Sequence, residues 1–525
     1  MIKLKIDNKD IIVPEGTSVL DAARSAGINI PSMCYKEGFS NHPSCMVCLV
    51  KDRKTGNHFS SCAMKVSDDM DLISDDPEIR EARKASLELL MSDHVGDCEA
   101  PCSLSCPANM NIPVMNRLIA SGKHLDSLMV VKEMIALPYI LGYICPAPCE
   151  KACRRKQIDN PVSICLLKRF VAAVGNEIHN PMAVKKTTNK SKIIAIIGAG
   201  PAGLSSAYYL LLKGYQCVFF DKNENAGGTL RYSIPDNELP KYIIDAEVSI
   251  IKNLGAEFRF NKNITKLNFE TEVKNKFDAV IIASGDISVF PDFVSLFKNN
   301  KSGVQVDEVS YETSMTGVFA CGSVLRQQKM TVRTVMQGRE TANSVDHFLQ
   351  KKQLPEPLKM FNSRFDKLMP EEYDEYLKES IKNNRLQPEA DGFIGFSAEE
   401  AITEAKRCLH CDCRKTDNCK LRLYSDEYHA DRKKYALTER KKLTKHFGKE
   451  IVYEPEKCIR CGLCVDITSK NKELSGLTYI GRGFDVRIDI PFGKNISDAL
   501  THTAKTCVES CPTGALAFRT SLDFE

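Results

Sequence analysis

The sequence predicts a multidomain chain of mixed α+β and α/β class, on three observations. It opens with MIKLKIDNKDIIV, whose apolar residues alternate with polar ones as in a half-buried strand pair. Further on, the apolar run IIAII leads straight into Gly198, Gly200 and Gly203 and then a helical pattern, the strand–turn–helix grammar of an α/β layer. All of the 22 cysteines except Cys217 and Cys321 fall into tight local groups, so metal-binding loops are expected to interrupt the regular elements. The expected segments are 1–78, 79–190, 191–350, 351–445 and 446–525, with PEPLKMF as a linker in the fourth.

Bulk properties narrow the function. The 525 residues are 43% hydrophobic and 27% charged, an ordinary composition with material for several cores. No apolar run approaches a bilayer span and no charged leader precedes an apolar stretch, so the expectation is a cytoplasmic chain with no membrane span. A net charge of +4 without a sustained basic block speaks against nucleic acid as a partner. Without export, this many thiols point to metal ligation rather than disulfides. Cys217 in an apolar strand and Cys321 beside a glycine read as small buried residues.

The first segment runs strand, strand, helix (TSVLDAARSAG) and then Cys34, Cys45, Cys48 and Cys62, spaced C-x10-C-x2-C-x13-C. A [2Fe–2S] centre needs four thiolates on a loop without strong helix or strand commitment, as KEGFSNHPS is; structural zinc is the alternative. The stretch resembles the β-grasp [2Fe–2S] domain of the large iron–sulfur subunit of bacterial complex I and of related hydrogenase and formate dehydrogenase subunits. All four ligand positions match.

Next, HVGDCEAPCSLSCPANMNIP and YICPAPCEKACRR carry Cys98, Cys102, Cys106, Cys145, Cys149 and Cys153, separated by about forty residues of helical pattern. The segment from Cys98 to Phe170 resembles the helical double-cluster domain of the glutamate synthase small subunit and of dihydropyrimidine dehydrogenase. That resemblance implies two [4Fe–4S] clusters, one on Cys106, Cys145 and Cys149, the other on Cys98, Cys102 and Cys153. The family's helix-borne Gln or Glu ligand is replaced here near Lys168, which cannot serve. Cys165, one turn earlier on the same face, is expected to complete the Cys106 cluster. His94, four residues before Cys98, is the candidate for the other, with a hydrogen-bonding neighbour as the alternative.

IIAIIGAGPAGLSSAYYLLLKGYQCVFFDKNENAGG supplies a Rossmann-like unit whose glycines bring backbone close to a pyrophosphate at a helix N-terminus. Asp221, ending the second strand, is placed to hold ribose hydroxyls. Gly227 and Gly228, then FDAVIIASGD and TGVFACGSV, resemble in order the flavoproteins with two dinucleotide-binding domains, which implies FAD. In those proteins a complete nicotinamide domain separates the last two strands; about thirty residues stand there in this chain, where on the order of 100 are needed. Gly322 is followed by Ser323 where the family has an Asp on the flavin ribityl chain, so a weaker hydrogen bond is expected. The helix near Thr331 is expected to aim its N-terminus at the flavin ring.

EEAITEAKRCLHCDCRKTDNC brings Cys408, Cys411, Cys413 and Cys419. Three readings stay open: a [4Fe–4S] cluster, zinc, or donation of Cys408 and Cys411 to the helical double-cluster domain. At the end, CIRCGLC and CPTGAL give Cys458, Cys461, Cys464 and Cys511, a one-cluster ferredoxin-like set with Cys507 as a bystander. Thr468 stands at a position that a second cluster would need.

Together the resemblances imply three to four [4Fe–4S] clusters, one [2Fe–2S] cluster and FAD, in an electron-transfer subunit of a multi-subunit oxidoreductase. An NADH-oxidising flavin subunit and ferredoxin are the expected partners. A self-sufficient NAD(P)H-dependent reductase and a structural iron–sulfur protein with a vestigial flavin site are the alternatives.

Overall fold

The computed structural model describes residues 1–177, 191–287, 291–354, 361–365, 367–389, 395–436 and 440–519. The linker expected at 355–361 lies outside the described residues except for Phe361. The chain divides into two units, one of Met1–Ala100, Lys359–Lys378 and Cys411–Glu525, the other of Pro101–Leu358 and Glu379–His410.

In the first unit the opening alternation folds as a hairpin. Ile2–Ile6 pairs antiparallel with Lys9–Val13 across Asp7 and Asn8, both at positive φ, as a two-residue hairpin turn requires. Leu4, Ile6, Ile11 and Val13 face inward, and Asp71–Ile73, Leu49–Asp52 and His58–Ser60 extend the sheet to five strands. The helix Val19–Ser25 lies on the apolar face, its N-terminus closed by Ser18 Oγ, which accepts from Asp21 N at 3.1 Å. The C-terminal part of this unit is a three-stranded antiparallel sheet of His446–Phe447, Ile451–Tyr453 and Leu516–Phe518, packed with the helices Leu463–Lys470 and Ala504–Ser510.

Residues 95–98 belong to this unit because their hydrogen bonds go there. Val95 N donates to Glu456 O at 2.9 Å, Cys98 N to Ser363 O at 3.0 Å, and Phe365 N to Asp97 Oδ1 at 2.9 Å. Arg83, on the helix Pro77–Ser92, is fully buried and donates to Leu49 O and Ser74 O at 2.7 Å and to Tyr428 Oη at 3.0 Å.

The second unit begins with helices Pro101–Ser105, Ile112–Ala120, His124–Met134, Pro138–Ile144, Pro148–Ala152 and Ile164–Glu177. They continue into a five-stranded parallel sheet in the order Val318–Ala320, Ala279–Ile282, Ile193–Ile197, Gln216–Phe220, Glu257–Arg259. Its strands are near-continuous apolar runs because both faces are covered, and the helix Thr331–Leu349 packs on Pro201–Leu212. Between the strands ending at Ile282 and beginning at Val318, the described residues form a one-turn helix, Pro291–Val294, and a short hairpin, Asn299–Asn300 with Gly303–Val304. Glu247, buried on Lys241–Asn253, joins the helical and sheet parts by accepting from Tyr139 N at 2.6 Å and pairing with Lys132 at 3.6 Å. Among the described residues no single helix is long and apolar enough to cross a membrane.

Candidate cofactor sites

The strand Ile193–Ile197 ends at Gly198, whose φ of +103° and 2.4 Å approach of a would-be Cβ to Ala283 O leave room only for glycine. At Gly203 a Cβ would stand 2.2 Å from Gly198 O, so the helix Pro201–Leu212 can press against the turn. The result is a cavity of about 530 Å³ with the helix N-terminus in its wall. Gly198, Gly200, Asp221, Gly228 and Ser323 line it, whereas Gly203, Gly227 and Gly322 are not in its lining. Gly227 N donates to Ala199 O at 2.8 Å, and Gly322 N to Gln337 Oε1 at 3.1 Å. Asp221 also orders the loop: its carboxylate accepts from Ala199 N at 2.7 Å and Asn223 N at 2.8 Å, leaving only its other lone pairs for a ligand. Lys222, Lys262, Gln327 and Gln328 are in the wall too, without any sequence motif that announces them. The close-packed glycines, amide-lined helix terminus and mixed polar wall fit a dinucleotide pyrophosphate.

Four cysteines of the helical part share one electrostatic environment. Cys145 caps Pro138–Ile144, Cys149 sits in Pro148–Ala152 and Cys165 on Ile164–Glu177, with Cys165 Sγ 3.9 Å from Cys145 O. Hydrogen bonding with Cys165, then burial, pushes the Cys145 thiol up. Lys168 is buried, its Nζ 3.9 Å from Cys165 Sγ; burial pulls its pKa down, but Cys165, Cys145, Cys149 and Cys106 more than offset that. The residue that cannot be a ligand therefore sets a positive charge against Cys165. Cys145 also lines a second cavity, of about 510 Å³, which shares Thr331 at the start of the helix Thr331–Leu349 with the dinucleotide cavity.

Cys102, Cys153 and Cys408 lie in the same unit. Pro101–Ser105, carrying Cys102, packs on Pro148–Ala152, which Cys153 caps. Beside Cys408, the fully buried Arg407 donates to Asp159 Oδ1 at 3.0 Å and Asn160 O at 2.8 Å, and pairs with buried Glu404 at 2.8 Å. Arg155 Nη1 returns a bond to Arg407 O at 2.8 Å. The loop after Cys153 is thus clamped to the residue before Cys408.

In the other unit, Cys34 and Cys45 have sulfurs 3.4 Å apart, and hydrogen bonds from Cys45 and Cys62 hold the Cys34 thiol down at about 2. Cys62 likewise lowers Cys48 to about 6, while the Cys45 and Cys62 thiols are pushed up in return, so the four titrate as one coupled set. Cys458, Cys461, Cys464 and Cys511 line one small cavity with Tyr453 and Ile488, and burial raises Cys458 to about 12. Cys507 is not in that wall; its Sγ lies 4.0 Å from Cys464 O. Thr468 is buried and bonded within its helix to Val465 O at 2.9 Å.

Cys98, expected with Cys102 and Cys153, has the following neighbours within its own unit. Ser363 N donates to its sulfur at 3.3 Å and Cys413 N to its carbonyl at 3.1 Å. Burial, with Cys413 adding, raises Cys98 to about 11, and burial with Cys413 and Cys98 raises Cys419 to about 12. A Cβ at Gly514 would stand 2.2 Å from Cys413 Sγ, so the thiol occupies that glycine's space. His94 Nδ1 is buried without a hydrogen-bond partner, and burial, with Lys457 adding, lowers its pKa to about 4, leaving a neutral imidazole. The Cys408–Cys419 run is divided: Cys408 lies in one unit, Cys411, Cys413 and Cys419 in the other. Cys217 and Cys321 are fully buried, and burial pushes both thiols up. Among the described residues no three His, Cys, Asp or Glu side chains converge as a single metal ion requires.

Three family models match parts of the chain. Residues 1–77 match a family model described as a 2Fe-2S iron-sulfur cluster binding domain. Residues 85–179 match dihydropyrimidine dehydrogenase domain II with its 4Fe-4S cluster, and residues 196–262 a NAD(P)-binding Rossmann-like domain. The chain is 38% identical over 191 residues to the NADPH-Fe(3+) oxidoreductase subunit beta of Geobacter sulfurreducens, covering 35% of this chain and 28% of that one. It is 35% identical over 240 residues to the NADP(+)-dependent formate dehydrogenase subunit beta of Moorella thermoacetica, covering 42% and 32%. Against the glutamate synthase [NADPH] small chain of Bacillus subtilis it is 35% identical over 182 residues, covering 34% and 36%. The matched stretch therefore spans roughly a third of each of these relatives.

Proposed function

We propose that this chain is an iron–sulfur flavoprotein subunit of a cytoplasmic oxidoreductase, passing electrons between an NADH-oxidising partner and another carrier such as a ferredoxin. The observation that carries it is Thr331, shared by the dinucleotide cavity and the cavity that Cys145 lines. A two-electron site and a one-electron site would then be neighbours within one unit. FAD, when bound, exchanges one or two electrons, and each cluster exchanges one.

The chain's own residues have the following parts. Gly198, Gly200 and the N-terminus of Pro201–Leu212 would receive the pyrophosphate, with Asp221 and Ser323 as polar anchors. Cys34, Cys45, Cys48 and Cys62 would hold a [2Fe–2S] cluster on a β-grasp frame, and Cys458, Cys461, Cys464 and Cys511 a [4Fe–4S] cluster on a ferredoxin-like frame. Cys106, Cys145, Cys149 and Cys165 form a third set. For the rest we infer a regrouping: Cys98, Cys413 and Cys419 with His94 as a fourth ligand, and Cys102 and Cys153 with Cys408. The neutral imidazole and unpartnered Nδ1 of His94 support its part. Met33, Cys34, Cys45, Cys419 and Cys461 share one apolar cluster, which keeps water away from three of these groups.

A second reading, a self-sufficient NAD(P)H reductase, is favoured by the description of the family model matched at 196–262. Anaerobic purification with iron, zinc and flavin quantitation, followed by NADH and NADPH titration at the flavin band, separates the two. Flavin and abundant iron in a chain that NADH reduces only with its co-purifying proteins would support the relay; direct reduction of the isolated chain would support the second reading.

A further inference from the structure

Lys168 is a buried ammonium for which the dinucleotide and ligand assignments have no use. It follows Cys165 by three residues on the helix Ile164–Glu177, so both side chains share one face. It is 3% exposed, and its hydrogen bond is to Cys165 Sγ at 3.9 Å. Among the described residues no carboxylate pairs with it. The acid nearest in the chain of contacts, Glu150, is already engaged: one oxygen accepts from Cys165 N at 2.9 Å, the other from Arg385 at 2.7 Å. The adjacent Arg169 lies over the Tyr143 ring, 3.7 Å from its centroid. A charge so thoroughly removed from water needs a counter-charge, and the sulfur that faces it is that of Cys165, 3.9 Å away.

We propose that Lys168 sets the reduction potential at the Cys106, Cys145, Cys149 and Cys165 site, making that site the preferred first acceptor of electrons from the adjoining dinucleotide cavity. This rests on the reading of those four cysteines as ligands of one cluster. A positive charge held against a thiolate favours the state with one more electron, and because the charge is already in place, no proton has to accompany that electron. The donor is a two-electron-reduced flavin, which gives up one electron and keeps the other. Lys168 is thus a positioning residue for charge and touches no substrate.

The test uses the whole holoprotein in an anaerobic redox titration followed by EPR, with Lys168→Met, Lys168→Gln, Lys168→Arg and Cys165→Ser. Lys168→Met and Lys168→Gln are expected to make one cluster at least tenfold harder to reduce, which is 59 mV for one electron, while every other signal stays in place. Lys168→Arg should restore most of that shift. Loss of this one cluster from both neutral variants but not from Lys168→Arg would support the same need for charge. Unchanged midpoints in neutral variants of full iron content would overturn the proposal. Cys165→Ser tests the underlying assignment separately: if it perturbs no cluster signal, the four-cysteine reading fails whatever Lys168 does.

Discussion

The four-cysteine site near the C-terminus and the one in the helical part are built on opposite plans. Cys458 and Cys461 come from one short loop and Cys464 from the first turn of the helix Leu463–Lys470 that follows it, and their cavity is walled by apolar and aromatic groups such as Tyr453, Ile488 and Leu516. Cys145, Cys149 and Cys165 come from the end of one helix and from two others, fixed by the Arg385–Glu150 ion pair and a buried lysine. In the first, local chain geometry brings three of the four thiols together and burial is the largest influence on their chemistry. In the second, tertiary packing brings them together and a discrete charge shapes it. The loop plan should be robust to distant change, and the helical plan sensitive to it.

The largest effect expected to expose that difference is Glu404→Ala. It would take from buried Arg407 the nearer of its two carboxylates, leaving only Asp159 at 3.0 Å, and remove the acceptor of Ser163 N at 2.9 Å and Leu386 N at 3.0 Å. A loss of about 3–5 kcal/mol in urea unfolding is expected, with iron lost from the helical clusters while the [2Fe–2S] and C-terminal signals persist. Equal loss of all signals would erase the contrast.

Cys461→Ala reverses the experiment: iron analysis should fall by about four atoms per chain, and flavin content should be unchanged. Gly203→Ala comes next, because its Cβ would collide with Gly198 O. An overpacking cost of about 1–3 kcal/mol would weaken flavin retention about tenfold or more, read by equilibrium dialysis, with iron unaffected. The smallest effect is expected from Cys507→Ser. Full iron and unaltered EPR would accompany a stability change of about 1 kcal/mol, whereas loss of a cluster would show that the C-terminal wall has been drawn wrongly.

What could be foreseen divides along the same line. The hairpin at 2–13, the strand–glycine–helix unit and the CIRCGLC set are encoded within a few residues of one another, so pattern and spacing suffice to find them. The company of Cys98 is different. It depends on hydrogen bonds from Val95 to Glu456 and from Cys413 to Cys98, between residues far apart in the chain whose types carry no shared signature. Spacing instead associates Cys98 with Cys102, four positions away. Lys168 was legible only as a non-ligand, since its charge matters through neighbours that the fold supplies. Asp221 was placed correctly at a strand end, but its two backbone hydrogen bonds follow from loop geometry that sequence does not specify.

The unit that begins at Met1 is interrupted after Ala100, resumes for Lys359–Lys378, and is completed only from Cys411 onward. During translation Cys98 therefore emerges long before Cys413 and Cys419 exist, whereas every residue of the other unit has been made by His410. A cluster held by Cys98, Cys413 and Cys419 could therefore be completed only after the last residue of the other unit has been made.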